Sequence, residues 1–241
     1  MKRIISSAFL LFSATAAIAQ KGETIVPSGN IITKEVSVKP FDAIQANGLY
    51  ELVLTQGDKE SVRIEADDNL QDLFSVTNDR NTLVIDMPKL RDKNINFDDK
   101  KDRHDLRLKV YVTFKKINSL DVGVIGSVRS TSPLKFDALE IESKNVGNIE
   151  MQLTANKLTI TNKGVGNLIL SGTATDAVVT NSGVGKFDGE DLIVQTMDID
   201  NSGVGSADVH VEKSLKIKES FLGKVSNKGN AKEHKMEGVV I

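Results

Sequence analysis

The sequence predicts an all-β fold, a right-handed parallel β-helix (a β-solenoid of about 19 residues per coil). The first observation is an internal repeat. Ile141–Gly147, Ile160–Gly166, Val179–Gly185 and Ile199–Gly205 align without gaps, and each ends in Val-Gly. With weaker members outside them, the last glycines fall at Gly126, Gly147, Gly166, Gly185, Gly205 and Gly223, in steps of 21, 19, 19, 20 and 18. The second observation is period-two alternation on both sides of each glycine pair, the pattern of half-buried strands. One such unit leaves apolar residues bare on two arms, and stacking the units hides them. The L-x-x-L-x-L pattern of leucine-rich repeats is missing, and Val-Gly recurs once per coil rather than every six residues as in a hexapeptide helix. Parallel crossovers are right-handed, hence the expected hand. Six coils at about 4.8 Å each make a rod roughly 29 Å long.

In chain order, residues 1–19 read as a signal peptide. Lys2 and Arg3 precede the apolar run Ile4–Ile18, and Ala17-Ile18-Ala19 suits cleavage before Gln20. That run is shorter than the roughly 20 residues of a membrane span, and no later run reaches the roughly 18 a membrane helix needs. No cysteine follows the cleavage point, so no lipoprotein anchor is expected. The expected address is therefore outside the cytoplasm: periplasm, cell surface or medium.

Residues 20–115 read as a strand-rich region. Ile31–Val38 alternates, Leu49–Thr55 follows a turn at Asn47-Gly48, and Gln56–Asp58 turns into Ser61–Ala66. Asp67–Phe74 suits one or two helical turns with Asp68 as cap. Asn78–Asn81 turns into the strand Thr82–Met87, and Leu106–Phe114 is another strand. Lys89–Asp105, dense in charge of both signs, reads as a solvated loop. This region either continues the sheets of the solenoid or caps it as a β-sandwich-like unit.

Residues 116–241 hold the repeats. Inward columns are expected at Leu120, Ile141, Ile160, Val179, Ile199, Ile217; at Leu139, Leu158, Ala177, Met197, Leu215; and, past the corner, at Val128, Ile149, Leu168, Phe187, Ala207, Val225. Ile125, Val146, Val165, Val184, Val204 and Leu222 form one more apolar column, read as inward, which predicts that Val165→Asp abolishes soluble expression. Gly164, Gly183 and Gly203 share a column with Asn145, which suggests a left-handed backbone there. The invariant second glycine suggests a place with no room for a Cβ, so Gly185→Val should cost more than about 2 kcal/mol. Asn162, Asn181 and Asn201 can stack as an amide ladder. The atypical end coils and the charged tail Lys228–Met236 suit caps.

Composition narrows the chemistry. Hydrophobic residues at 39% and charged residues at 27% describe a globular chain. The absence of cysteine excludes disulfides, thiolate metal sites and cysteine nucleophiles. A net charge of −2 offers no footprint for nucleic acid, and with no Trp and two Tyr there are few stacking platforms. His104, His210 and His234 share no metal-ligand spacing, so surface positions suit them. Asp98, Asp99, Asp102 and Asp105 have calcium-type oxygens, but Lys100, Lys101 and Arg103 between them oppose a dication. Ser182 and Ser202 lack a His or Asp partner at an interpretable position. No cofactor and no metal are expected.

Ser28–Ile32, Phe41–Ile44, Gly48–Gly57 and the Gly-Val-Gly repeats resemble the head GIN domain family of Bacteroidetes, whose members are described as putative auto-transporter adhesins. The resemblance spans residues 28–225 and implies an exported β-helical protein without an established catalytic role. Two functions follow. One is a non-enzymatic adhesin-like or scaffold module that contacts a protein or glycan at the cell envelope. The alternative is a polysaccharide lyase or hydrolase, with carboxylates drawn from Glu140, Glu142, Glu150, Asp188, Asp198, Asp200 and Asp208.

Overall fold

The computed structural model describes residues 23–90, 93–95, 108–220 and 222–236. The leader, His104 and most of Lys89–Asp105, including Asp98, Asp99, Asp102 and Asp105, therefore lie outside the described residues. The described part corrects the loop expectation, since Lys93–Ile95 forms a strand paired in parallel with Glu23–Ile25. β1 (Glu23–Ile25) and β2 (Ile31–Val36) lead into β3 (Ala43–Leu49) and β4 (Glu51–Gln56). β5 (Ser61–Asp67), a 3-10 turn over Asp68–Leu73, β6 (Ser75–Asp79), β7 (Thr82–Asp86), β8 (Lys93–Ile95), β9 (Lys109–Phe114), β10 (Ser119–Ile125) and β11 (Val128–Ser130) follow. The repeats form β12 (Leu134–Ser143), β13 (Ile149–Asn162), β14 (Leu168–Asn181), β15 (Phe187–Asn201), β16 (Gly205–Glu219), β17 (Gly223–Asn227) and β18 (Lys232–Lys235).

From β10 onward, strands stack in parallel, and the repeat register is the pairing register. Leu120, Ile141, Ile160, Val179, Ile199 and Ile217 are successive partners. Past the corner, Val128, Ile149, Leu168, Phe187, Ala207 and Val225 form a second file, buried except for the partly buried Val225. This is the expected β-solenoid. Two further inward files, Leu134–Leu153–Gly172–Leu192 and Phe136–Ala155–Ala174–Val194–Val211, escape the sequence reading. Gly172 interrupts the apolar run of the first, and in the second the bulge between Gly189 and Ile193 shortens the step from Val194 to Val211, so equal spacing no longer marks equal position there.

The first half both continues the sheets and caps them. β3 lies in parallel register on β10, from Ala43 opposite Ser119 to Leu49 opposite Ile125, and β4 lies on β11. β7 adds in parallel to β3, and β9 to β4. Beyond these the pairing turns antiparallel: β6 on β7, β5 on β9, and β2 on β5. The β3–β4 coil thus sits between a β7/β9 layer and the β10/β11 coil, although β7 and β9 lie between them in sequence. The interior is one apolar cluster running from Phe41 to Ile217.

Three local expectations change. The strand expected at Leu49–Thr55 is broken at Tyr50, and Asn47-Gly48 lies inside β3, where Gly48 adopts φ +131° as the chain approaches the bend. Asp68 does not cap the 3-10 turn. Asp67 precedes it with no side-chain cap bond, while the Asp68 carboxylate accepts from Ser28 Oγ at 2.5 Å and Asn30 Nδ2 at 2.9 Å. The turn before β7 is as expected, with Arg80 (φ 45°) and Asn81 (φ 66°) both left-handed, as a two-residue hairpin loop requires.

At the corners, the left-handed position is the second glycine, not the first. Gly126, Gly147, Gly166, Gly185 and Gly205 have φ between +129° and +148°, whereas Gly164, Gly183, Gly203 and Asn145 do not have positive φ. The second column is also crowded: a Cβ on Gly185 would sit 2.2 Å from the Gly166 carbonyl oxygen. Glycines in the first column answer to space alone, since a Cβ on Gly183 would lie 2.5 Å from Gly164 O.

Candidate functional site

The apolar column between the corner glycines faces water. Ile125, Val146, Val165, Val184, Val204 and Leu222 are 47% to 59% exposed, which overturns the inward reading. The reason is geometric. Counting in twos from the buried Ile160 through Asn162 and Gly164 places Val165 on the outer side, and the same count puts Val184 and Val204 outside. Alternation already held that answer, and apolar character obscured it. The file is continuous: isolated parallel bridges join Ile125 to Val146, then Val165, Val184 and Val204, and Gly205 N donates to Leu222 O at 3.2 Å. Leu49 continues it at the cap end as the register partner of Ile125.

Backbone bonds run both ways from each corner. Val165 N donates to Asn145 O and Gly166 N to Val184 O, each at 2.8 Å. Beneath the ridge, Asn162 Nδ2 donates to Asn181 Oδ1 at 2.8 Å, Asn181 Nδ2 to Asn201 Oδ1 at 2.7 Å, and Asn201 Nδ2 to Lys224 O at 2.9 Å. The expected amide ladder is therefore present, and it is buried. It holds the corners at one coil's spacing, so the apolar side chains stand in a straight line.

A polar cluster occupies the outer face where β15 bulges. Lys186 Nζ lies 2.9 Å from both Asp188 Oδ2 and Asp208 Oδ2. Hydrogen bonds to Asp208 and Asp188 hold the Lys186 proton well above the usual lysine range. Glu190, carried on the bulge, pairs with Lys228. His210 sets Nε2 2.8 Å from Glu212 Oε1 and Nδ1 3.2 Å from the Glu190 carbonyl oxygen. The Asn230 amide, then His210, lower the Glu212 carboxyl. Asp188 and Asp208 were expected on this face, but their lysine was not foreseen, because it comes from the corner before Asp188 and reaches across to Asp208 of the next coil.

The other expected carboxylates are spread along the strands. Asp198 pairs with Lys216 at 3.2 Å and Asp200 with Lys218 at 2.7 Å. One pair diverges in acidity: Asp121 and Glu142 are register partners on β10 and β12. Desolvation, then the charge of Glu142, raises the Asp121 carboxyl, while a hydrogen bond from Lys144 lowers that of Glu142. A shallow concavity of about 240 Å³ opens at the cap end of the ridge, between Leu49, Glu51, Lys109 and Ile125. Among the described residues, no three His, Asp or Glu side chains come together to hold a metal ion, and no helix is long and apolar enough to cross a membrane.

These features define a class: a β-solenoid with a non-repeating cap, an apolar interior and a regular outer surface. The chain belongs to the head GIN domain family, described as putative auto-transporter adhesin, whose sequence pattern matches residues 40–231. It is similar to a putative adhesin from Bacteroides fragilis NCTC 9343, with 31% identity and a TM-score of 0.69 over 88% of this chain and 100% of that one. A putative adhesin from Parabacteroides distasonis ATCC 8503 shares the fold at 17% identity, TM-score 0.65, over 89% of this chain and 96% of its own. So does a putative lipid binding protein from the same strain, at 19% identity, TM-score 0.64, over 88% and 95%. No curated protein shows significant similarity to the chain.

Proposed function

We propose that the protein is an exported, non-catalytic, adhesin-like module that makes contact at the cell envelope. The observation that carries this reading is the ridge: six apolar side chains held in water, in line, by a fold that does not need them for its core. Membership of a family described as putative auto-transporter adhesin supports the adhesin-like role, and the pattern of residues 1–19 supports export. The test is to express the full chain and a Val165→Asp/Val184→Asp variant, sequence the N-terminus, fractionate the cells and measure their attachment. The reading expects a chain that starts at Gln20, lies outside the cytoplasm, and loses attachment in the variant. An unprocessed cytoplasmic chain, or equal attachment by the variant, would overturn it.

The Asp121–Glu142 pair favours a second reading, a polysaccharide-active enzyme, because neighbouring carboxyls of split acidity are what a general acid and its partner require. Both carboxyls lie on an outer strand face, in a column that continues through Gln45 and Thr161. Incubation with acidic and neutral polysaccharides should release no reducing ends and no unsaturated products. Turnover that Asp121→Asn abolishes would establish the enzyme instead.

A further inference from the structure

We propose that the corner ridge is a lipid-contact edge, built to enter the headgroup region of an anionic bilayer. The proposal takes the envelope reading above and names the partner. Three properties of the ridge point the same way.

The first is shape. Ile125, Val146, Val165, Val184, Val204 and Leu222 crown the bend of successive coils, and each is about half exposed. A convex apolar edge has no walls to clasp a peptide or sugar, but it suits a deformable partner whose apolar layer lies just beneath a polar one. The second is straightness. Six residues at one coil's spacing make an edge about 24 Å long. The bridges from Ile125 to Val204 and the buried Asn162–Asn181–Asn201 ladder keep it in line, so all six can enter at one depth.

The third is charge. The five corner segments 144–148, 163–167, 182–186, 202–206 and 220–224 contain Lys144, Lys163, Lys186 and Lys224 and no acid. The whole chain, by contrast, carries 33 acids against 31 bases. Lys144 and Lys163 precede the apolar residue and Lys186 and Lys224 follow it, so cationic groups border the file on both sides. Lys144 is paired with Glu142, Lys186 with Asp188, Asp208 and Glu190, and Lys224 with Glu219, on strands leading away from the corner. An anionic headgroup competes with those carboxylates for them, whereas Lys163 makes no ion pair among the described residues. Apolar residues flanked by lysines are what an anionic interface selects, and attraction to it falls with added salt.

The test is co-sedimentation of the full chain with phosphatidylglycerol–phosphatidylcholine vesicles and with phosphatidylcholine vesicles alone. Residues 1–22 are common to every variant, so differences between variants report on the ridge. The full chain should bind the anionic vesicles more tightly than the neutral ones, and less as salt rises. Val165→Asp/Val184→Asp should weaken binding at least about tenfold, and Lys163→Ser about fivefold, each with an unchanged melting temperature. No binding to anionic vesicles, or binding that ignores Val165→Asp/Val184→Asp, overturns the proposal. If vesicles fail to bind but the same variant still loses cell attachment, the lipid assignment falls, the envelope reading stands, and the ridge passes to a protein or glycan. Vesicle binding without any effect on attachment supports the lipid edge and removes the adhesion reading.

Discussion

At the scale of single residues, each corner sets two side chains against opposite demands. The Gly185 backbone sits at φ +130°, and a Cβ there would lie 2.2 Å from Gly166 O, a backbone atom that cannot swing aside. Strain and overlap combine, so Gly185→Ala should destabilise by roughly 3 kcal/mol or more, read from urea unfolding. The neighbouring Val184 carries no such constraint, because half of it is already in water. Val165→Asp and Val184→Asp should therefore express in soluble form and unfold within about 1 kcal/mol of the parent. The opposed outcomes, one position intolerant of a methyl group and its neighbour tolerant of a charge, test the corner geometry directly. Loss of soluble Val165→Asp would mean that this column packs inside.

Between residues and the molecule stand the columns and the strand-to-strand bridges. Asn181 is the middle of the amide ladder, donating to Asn201 and accepting from Asn162. Asn181→Leu leaves a buried amide hydrogen on Asn162 and a buried carbonyl on Asn201 unpaired, at about 1–3 kcal/mol each. Unfolding should shift by about 2–6 kcal/mol, and amide exchange should quicken at the neighbouring corners. Beside the corner at the cap end, Glu51 of β4 joins β9 and β11: its carboxylate meets Lys109 Nζ at 3.0 Å and Arg129 Nε at 2.5 Å. Desolvation pushes this carboxyl up, but Arg129 and Lys109 outweigh it and hold it below its ordinary value. A group lowered in the folded state stabilises above its unfolded value of about 4.3, and that contribution fades as pH falls through the folded value. Between about pH 5 and 3 the parent should lose stability more steeply than Glu51→Gln, as thermal melts across that range would show. Equal slopes would mean that the bridge contributes nothing to folding.

The molecule as a whole must end a stack that could in principle go on. At one end, β2, β5 and β6 reverse direction, so the last layer pairs antiparallel and offers no copy of the repeat. At the other, β18 places Glu233 opposite Leu215 and Lys235 opposite Ile217, setting charges where every earlier coil is apolar. Inward charges on an edge strand discourage a further strand from adding. Glu233→Val/Lys235→Val should therefore associate end to end, seen as a rise in sedimentation coefficient with concentration; a monomer at all concentrations would show that something else closes the stack. How far these features could be read in advance follows the periodicity. Files such as Leu120–Ile217 were legible because each coil returns to the same register after a near-constant number of residues. The files through Leu192 and Val194 were not, because Gly172 interrupts the first and the bulge after Gly189 shortens the last step of the second, from Val194 to Val211. By itself, the sequence determined the coil length, the inner columns, the amide ladder and the family, since all of these repeat and repetition shows in a linear string. The tertiary structure alone decided that the β3–β4 coil lies between β9 and β11 and that Lys186 meets Asp208 of the next coil. Those outcomes depend on which strands lie side by side and which way a bend turns its side chains, and both are settled only when the coils pack together.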